Sequence, residues 1–249
     1  LARKQVPILC YHQVRNWKAG DGPMTKDYTV ETQNFKDQMK MLADSGYNTI
    51  LPDQLYAYLN EGAALPKKPI MLTFDDTVLD QFTTVNPTLK KYGFKATIYI
   101  VLNRFNQDWA TDKDLNQASS ELNSEKMLSN EQIKEMLDSG LIEIGSHTLD
   151  HVNLPKLTKE EKQKQIIESK KQIEEIFNIK CSSFAYPFGF FDNQDVEIFK
   201  NSSYTNATTV VNGVYDKTKY SDFLIPRIMI SGRQNIYSFI LKMKKGQSR

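Results

Sequence analysis

Short apolar segments alternate with longer segments of helical periodicity along nearly the whole of this 249-residue sequence. The apolar run at 70–74, for example, ends at two aspartates, whereas 158–177 has apolar residues at helical spacing. This alternation is typical of parallel strands that are joined by crossover helices. The sequence therefore predicts an α/β fold in which seven or eight βα units form a closed or distorted (β/α) barrel.

The boundaries of the predicted elements follow from turn residues and helix-capping patterns. Strands are predicted at 6–11, 48–51, 70–74, 96–102, 141–145, 183–186, 207–211 and 225–230. Helices are predicted at 35–46, 53–59, 85–92, 129–139, 158–177, 195–201 and 235–244. We expect Asp53 to cap the second helix, and Ser129 and Thr158 to begin theirs with capping boxes.

The alternation is not interrupted by a linker rich in proline, glycine or serine, so residues 1–249 are predicted to form a single domain. The segment 103–127 differs, because it is polar and has no clear period. We expect it to form a long loop inserted beside the strand that ends at Leu102.

The charge balance excludes some classes of partner. Thirty-two basic residues against 30 acidic ones give a formal net charge of +2, too little to attract nucleic acid or an anionic membrane. No apolar run approaches the roughly 20 residues that span a bilayer, so we expect no transmembrane segment. Separately, we expect the protein to be a monomer. Cys10 and Cys181 lack metal-binding or redox spacing, and are either two buried thiols or one disulfide.

Polar residues follow four of the predicted strands, and all three histidines of the chain are among them. Chemistry in α/β barrels takes place at the carboxyl ends of the strands, so these residues are the candidates for a site. The four strand-end segments are 9–12, 73–76, 146–151 and 185–189.

The spacing of His147 and His151 allows both imidazoles to reach one ion from a helical turn or a tight loop. Asp75 or Asp76 supplies a third ligand, which leaves the open position that a catalytic divalent metal needs. Adjacent carboxylates on an extended segment point to different sides, so the second aspartate can act as general base. A histidine pair or two neighbouring acids alone are often structural, but their occurrence together at strand ends indicates a metal-dependent catalytic site.

The segments T-F-D-D-T at 73–77 and H-T-L-D-H at 147–151 resemble two motifs of the polysaccharide deacetylases, carbohydrate esterase family 4. The resemblance implies a barrel of the NodB-homology type. It also implies that Asp75 is the general base and that Asp76, His147 and His151 bind a divalent metal, zinc first and Co2+, Ni2+ or Mn2+ as alternatives. Thr77 replaces the glycine that ends the family's first motif.

The segment A-Y-P-F at 185–188 departs from the third motif of that family, R-x-P-Y, because it lacks the arginine that tethers the base. We expect Arg227, in the segment P-R-I, to reach the base instead. By resemblance, the backbone N–H of Phe188 stabilises the oxyanion, and Tyr186 and Pro187 lie at the substrate-binding turn. The fourth motif has no clear match, so Trp17 and Trp109 are both left as candidates for lining a groove.

The family's last motif, L-x-x-H, is found at 9–12 rather than near the carboxyl terminus, since no histidine follows His151. This order is similar to that of the circularly permuted poly-N-acetylglucosamine deacetylases of biofilms. The resemblance implies that His12 is the general acid, and either Asp222 or Asp192 is the candidate to orient it.

Taken together, the resemblance implies a metal-dependent hydrolase that removes N-acetyl groups from the N-acetylglucosamine units of a polysaccharide. The polymer would be poly-N-acetylglucosamine, a chitin-like glycan or a peptidoglycan glycan. Two alternatives are an O-acetyl esterase that acts on a polysaccharide such as acetylated xylan, and a non-catalytic glycan-binding module. The resemblance also implies a secreted or cell-envelope-associated protein, with a signal or anchor outside these residues.

Overall fold

A computed structural model describes residues 5–105, 109, 120–216 and 218–245. The strands are β1 (Ile8–Tyr11), β2 (Gln13–Val14), β3 (Thr29–Val30), β4 (Asn48–Thr49), β5 (Pro69–Phe74), β6 (Ala96–Ile100), β7 (Ile142–Ser146), β8 (Ser183–Ala185), β9 (Asn206–Asn212) and β10 (Ile225–Met229). The α-helices are α1 (Pro23–Tyr28), α2 (Thr32–Asp44), α3 (Pro52–Asn60), α4 (Asn86–Tyr92), α5 (Asn130–Asp138), α6 (Lys159–Gln163), α7 (Ser169–Phe177), α8 (Asn193–Lys200) and α9 (Ile236–Lys245). Two π-helical turns, Gln81–Val85 and Lys164–Glu168, directly precede α4 and α7.

Seven parallel strands form a closed barrel in the order β1-β10-β9-β8-β7-β6-β5, and β5 pairs back onto β1. Strand β1 therefore closes the barrel, because it contacts β5 along Ile8 to Tyr11 and β10 at Leu9 and Cys10. Strand β4 extends the sheet beside the start of β5, and β2 and β3 pair separately. The predicted (β/α) barrel is confirmed, with seven strands in the closed part.

The barrel strands are buried on both faces, which explains why they read as continuous apolar runs rather than as alternating patterns. All residues of β1, β5 and β6 are buried. The main apolar cluster joins these strands to the helices that surround them, and includes Leu72 and Ile98 in the barrel and Phe35 and Leu42 on α2.

The helix caps predicted at Ser129 and Thr158 are confirmed, since both form capping boxes. The cap predicted at Asp53 is wrong. Helix α3 begins after Leu51, with Pro52 at its first position, where the fixed φ of proline suits a helix start. Asp53 lies in the first turn and accepts a hydrogen bond from the Ser182 hydroxyl at 2.5 Å.

Three short elements, α1, β2 and β3, were not expected from the sequence. Within the polar segment predicted as a loop, Ser120–Ser124 forms a 3-10 helix, and 106–108 and 110–119 lie outside the described residues. Cys10 and Cys181 are both buried and unbonded, which supports the interpretation as two thiols. Within the described ranges, every helix is too short or too polar to span a membrane.

Candidate active site

Most of the predicted site residues follow the carboxyl ends of parallel barrel strands, so they meet at one rim of the barrel. His12 follows β1, Asp75 and Asp76 follow β5, and His147 follows β7. Arg227 differs from these residues, because it lies in the middle of β10.

Asp76, His147 and His151 form a buried triad whose ligand atoms lie within 4.8 Å of one another. Oδ1 of Asp76 is 3.5 Å from Nε2 of His147 and 3.4 Å from Nε2 of His151. Nδ1 of His147 lies 2.7 Å from the carbonyl oxygen of Ala185, which can only accept, so Nδ1 carries a hydrogen and Nε2 is the nitrogen that faces the triad. Two imidazole nitrogens and one carboxylate oxygen are a donor set that suits a divalent metal.

The backbone around the triad is held in an unusual conformation. Asp76, Thr77, Thr148 and His151 have φ values of 74°, 64°, 70° and 52°, in the left-handed region that glycine favours. Hydrogen bonds compensate for this strain: the hydroxyl of Thr77 accepts from the N–H of Val101 at 2.8 Å, and that of Thr148 accepts from the N–H of His151 at 2.9 Å. Thr77 thus occupies the family's glycine position with a hydrogen-bonded side chain.

The charges of the triad are coupled. Burial alone would raise the pKa of Asp76, but hydrogen bonds from His147 and His151 outweigh it and keep that pKa well below its usual range. Burial lowers the pKa of His151, which favours its neutral form. Burial would lower the pKa of His147 as well, but the hydrogen bond with Asp76 and the charges of Asp75 and Asp76 outweigh burial and raise it. The triad therefore combines an ionised carboxylate with one imidazole that tends to be neutral and one that would release a proton when a cation binds.

Asp75 is held by Arg227 in a bidentate ion pair, with distances of 2.8 Å to Oδ1 and 2.7 Å to Oδ2. Arg227 is fully buried, and it also donates to the carbonyl of Thr209 at 2.8 Å and to the hydroxyl of Thr73 at 3.1 Å. Burial would raise the pKa of Asp75, but the guanidinium outweighs burial and lowers it. The carboxylate is therefore ionised at neutral pH. Arg227 makes the contact with the proposed base that the sequence analysis expected of it in place of the missing motif arginine.

His12 lies beside this pair, because a ring nitrogen of His12, a carboxylate oxygen of Asp75 and Sγ of Cys10 are all within 4.8 Å of one another. The ring of Tyr28 contacts that of His12 edge-on at 4.9 Å. Nδ1 of His12 is buried and has no hydrogen-bond partner among the described residues. The structure thus brings His12 close to Asp75, and a side chain that orients it is not found among those residues.

Both aspartates predicted to orient His12 are engaged elsewhere. Asp222 accepts from the hydroxyl of Tyr215 at 2.8 Å, and Asp192 caps α8 and forms an ion pair with Lys162. The prediction for these two residues is wrong, because each one's carboxylate is used to hold its own local structure.

Phe188 lies in a 3-10 turn, Pro187–Gly189, one residue after β8, and its φ of 58° places it in the left-handed region. Its ring is 4.6 Å from that of His151, so the turn borders the triad. The side chain of Tyr186 is fully buried and donates to the carbonyl of Phe223 at 3.1 Å. Tyr186 therefore contributes to the site through the backbone that leads into the turn.

Of the two tryptophans, Trp109 lies at the triad, with its ring 5.4 Å from that of His151. It lines a cavity of about 530 Å3 together with the exposed ring of Phe105. Trp17 donates to the carbonyl of Thr29 at 2.8 Å, so its indole N–H is used in local structure.

Two residues near the base were missed at the sequence level. Gln81 is fully buried and donates to the backbone carbonyl of Asp75 at 2.5 Å. The thiol of Cys10 lies 3.7 Å from Oδ2 of Asp75, and burial raises its pKa well above the usual value, so it is neutral. Gln81 belongs to no spacing pattern that could have indicated its place, whereas Cys10 lies inside the strand-end segment 9–12.

Comparisons with known proteins agree with this geometry. Poly-beta-1,6-N-acetyl-D-glucosamine N-deacetylase of Staphylococcus aureus (strain MRSA252) is 25% identical over 239 residues, covering 90% of this chain and 78% of that protein. The structure of the Streptococcus pyogenes deacetylase PplD in complex with acetate has the same fold, with a TM-score of 0.80 at 23% identity over 96% of this chain and 98% of that one.

BC0361, a polysaccharide deacetylase from Bacillus cereus, has a TM-score of 0.77 at 27% identity, covering 96% of this chain and 69% of that one. The family model for polysaccharide deacetylase matches residues 62–207, which is more than half of the sequence. The barrel, the strand-end motifs and this match lead to one conclusion: the chain belongs to the polysaccharide deacetylase family and is a hydrolase.

Proposed function

We propose that this protein is a metal-dependent N-deacetylase that acts on N-acetylglucosamine units of a polysaccharide. The observation that carries the proposal is the buried Asp76–His147–His151 triad, directly beside a carboxylate, Asp75, that Arg227 holds in place. The name of the Staphylococcus aureus relative supports poly-β-1,6-N-acetylglucosamine as the first glycan to test. Chitin-like and peptidoglycan glycans are the next.

Asp76, His147 and His151 would hold the metal, and we propose zinc because its usual ligands are imidazole nitrogens and carboxylate oxygens. A zinc ion bound there would supply Lewis acidity, polarising the acetyl carbonyl and lowering the pKa of a water toward about 7. The ring nitrogens of both histidines already face Asp76, so the donor atoms need little rearrangement.

Asp75 is the proposed general base, which accepts a proton from the attacking water. Its lowered pKa keeps it ionised, and the two bonds from Arg227 fix the plane of its carboxylate. A carboxylate has about four lone-pair sites, of which Arg227 occupies two and the thiol of Cys10 a third, so one remains to face water. Arg227 therefore orients the base without blocking it.

His12 is the proposed general acid, which donates a proton to the departing amine nitrogen. It lies on the same side of the site as Asp75, with a ring nitrogen within 4.8 Å of the carboxylate. The backbone N–H of Phe188 is the proposed hydrogen-bond donor to the oxyanion, because its turn borders His151. The products are acetate and a glucosamine unit, and we place the enzyme outside the cell or at its envelope, where such a polymer would be met.

The test is acetate release from N-acetylglucosamine oligomers, measured on protein stripped of metal and then reconstituted with zinc. Asp75→Asn should lower kcat about 10²- to 10⁴-fold at unchanged zinc content, the usual range for loss of a general base. Asp222→Asn is the matched control, since its carboxylate binds Tyr215, and it should retain activity.

Acetate release that survives Asp75→Asn would remove Asp75 from the role of base. If the zinc-loaded protein released no acetate from any N-acetylated glycan, the N-deacetylase proposal would fail. Activity on acetylated xylan would then identify an O-acetyl esterase, and glycan binding without hydrolysis would identify a binding module.

A further inference from the structure

We propose that Gln81 is a positioning residue that sets the distance between Asp75 and His12. The inference rests on the proposed function, in which these two side chains act as base and acid. The amide of Gln81 donates to backbone carbonyls and not to the side chains of the triad or of the pair. It acts instead on the backbone from which both side chains extend.

The side-chain amide of Gln81 lies where the pairing of β1 and β5 ends. The N–H of Asp75 donates to the carbonyl of Tyr11 at 3.0 Å, beyond the last register pair of the two strands. The next two carbonyls, of Asp75 and His12, face the Nε2 of Gln81 at 2.5 Å and 3.4 Å. Since both partners are carbonyl oxygens, only the NH2 group of the amide can make these contacts. Gln81 thus links the two strand ends by one side chain.

The local helix geometry places Gln81 there. Gln81 begins the π-helical turn Gln81–Val85, a rare conformation that is frequent at functional sites. The preceding residue, Asp80, accepts a hydrogen bond from the backbone N–H of Val14. The dipeptide 80–81 therefore holds the backbone that directly follows His12, at the carbonyl of residue 12 and at the N–H of residue 14.

The residue type is explained by the two carbonyls that the amide binds. Gln81 is fully buried, and its Oε1 has no hydrogen-bond partner among the described residues. An unpaired buried oxygen is costly, and a methionine of similar size would avoid that cost. The amide, however, makes two hydrogen bonds that an apolar side chain cannot make. The two carbonyls that accept them belong to the proposed base and acid.

The test compares Gln81→Met with Gln38→Met. Gln38 is the matched control, because it is equally buried and accepts from the hydroxyl of Tyr11 at 2.8 Å, one residue from His12, without contacting the two carbonyls. We expect Gln81→Met to lower kcat about 10- to 100-fold, the effect of misplacing a reacting group by about 1 Å. KM and zinc content should stay near those of the wild type, and Gln38→Met should keep its kcat.

A second readout does not depend on activity. The chain has three histidines, and zinc would bind two of them, so the ring signals of His12 can be followed separately by NMR in zinc-loaded protein. We expect these signals to shift or broaden in Gln81→Met and to stay sharp in Gln38→Met. His12 signals that superimpose on those of the wild type, or an equal loss of kcat in both variants, would overturn the proposal.

Failure of the proposed function gives a different result, because the wild type would then release no acetate while the NMR comparison still decides the role of Gln81. If Gln81→Met does not fold, Gln81→Asn replaces it. Its amide is one methylene shorter and cannot reach both carbonyls, so kcat should fall and the His12 signals should move. Wild-type kcat and His12 signals in Gln81→Asn would likewise contradict the proposal.

Discussion

The metal triad and the base–acid pair lie side by side, but they are assembled in different ways. The triad takes its three side chains from two short segments, one after β5 and one after β7. The base–acid pair needs three strands, since Asp75 follows β5, Arg227 lies in β10 and His12 follows β1. Asp75 and Arg227 are 152 residues apart in the sequence and form a direct ion pair.

This difference shows which part of the site depends on barrel closure. The triad needs β5 and β7, which are joined through β6 inside the sheet. The ion pair and His12 are formed where β1 joins β5 and β10, at the seam that closes the barrel. We therefore expect substitutions in the two regions to separate metal binding from proton transfer and from stability.

The largest effect is expected from a substitution that breaks the triad alone. His147→Ala removes one of three ligands, so zinc content should fall and acetate release should drop to background. Zinc content by elemental analysis and acetate release are measured together. Full zinc occupancy in His147→Ala would show that the metal is held elsewhere.

The next effect concerns the acid. His12→Asn should lower amide hydrolysis about 10²- to 10⁴-fold, because the amine cannot leave without a proton. Hydrolysis of p-nitrophenyl acetate should change far less, since its phenolate leaves without one. Rates on the two substrates, measured on zinc-loaded protein, distinguish loss of proton donation from loss of metal binding. An equal loss on both substrates would contradict the role of His12.

A smaller loss of activity, with a large loss of stability, is expected from Arg227→Met. The free energy of unfolding should fall by about 3–5 kcal/mol, because a buried carboxylate loses its partner. The pKa of Asp75 should rise once burial is no longer outweighed, so the acidic limb of kcat/KM should move to higher pH. Urea unfolding and a pH–rate profile measure both effects.

Arg233→Met is the control for that experiment, because Arg233 is exposed and pairs with Asp27 at 3.6 Å. Such a surface pair contributes about 0–1 kcal/mol, so stability should hardly change. A similar small change for Arg227→Met would show that the seam does not depend on its ion pair.

The smallest effect is expected at Glu143, on β7 before the triad, where burial and then the charge of Asp53 raise the pKa to about 8. The folded protein therefore binds a proton that the unfolded chain releases near its ordinary value of 4.5. The resulting stability is present below that value and is lost as pH rises through 8. Glu143→Gln should remove most of this pH-dependent loss without affecting kcat.

Urea unfolding at acidic and alkaline pH checks the prediction for Glu143. An identical pH dependence in the wild type and in Glu143→Gln would contradict it. Unchanged kcat would also show that Glu143 does not take part in the chemistry.

The sequence was most informative where the physical signal is local. Apolar runs identified the barrel strands, since burial on both faces requires them, and the spacing of His147 and His151 identified the pair that faces Asp76. Arg227 was found only through the resemblance to the family, because a lone arginine in a strand has no spacing pattern.

The remaining features depend on positions that exist only in the folded barrel. Gln81 contacts two backbone carbonyls, and because every residue has a carbonyl, the sequence does not indicate which ones a side chain will bind. Asp222 and Asp192 are acidic, which made them candidate partners of His12. The sequence does not show that Tyr215 donates a hydrogen bond to Asp222 or that Lys162 forms an ion pair with Asp192. The short elements α1, β2 and β3 carry too few residues for a period to be recognised.

The position of β1, which closes the barrel, has a consequence for how the chain folds during its synthesis on the ribosome. Strands β5 to β10 each pair with a neighbour made shortly before or after, whereas β1 precedes them in the sequence and pairs both with β5 and with the much later β10. Pairing over such a separation is slow and waits for late synthesis. The triad and His12 can therefore be in place while Arg227 is still absent, so a nascent chain would gain its metal site before the partner that holds its base.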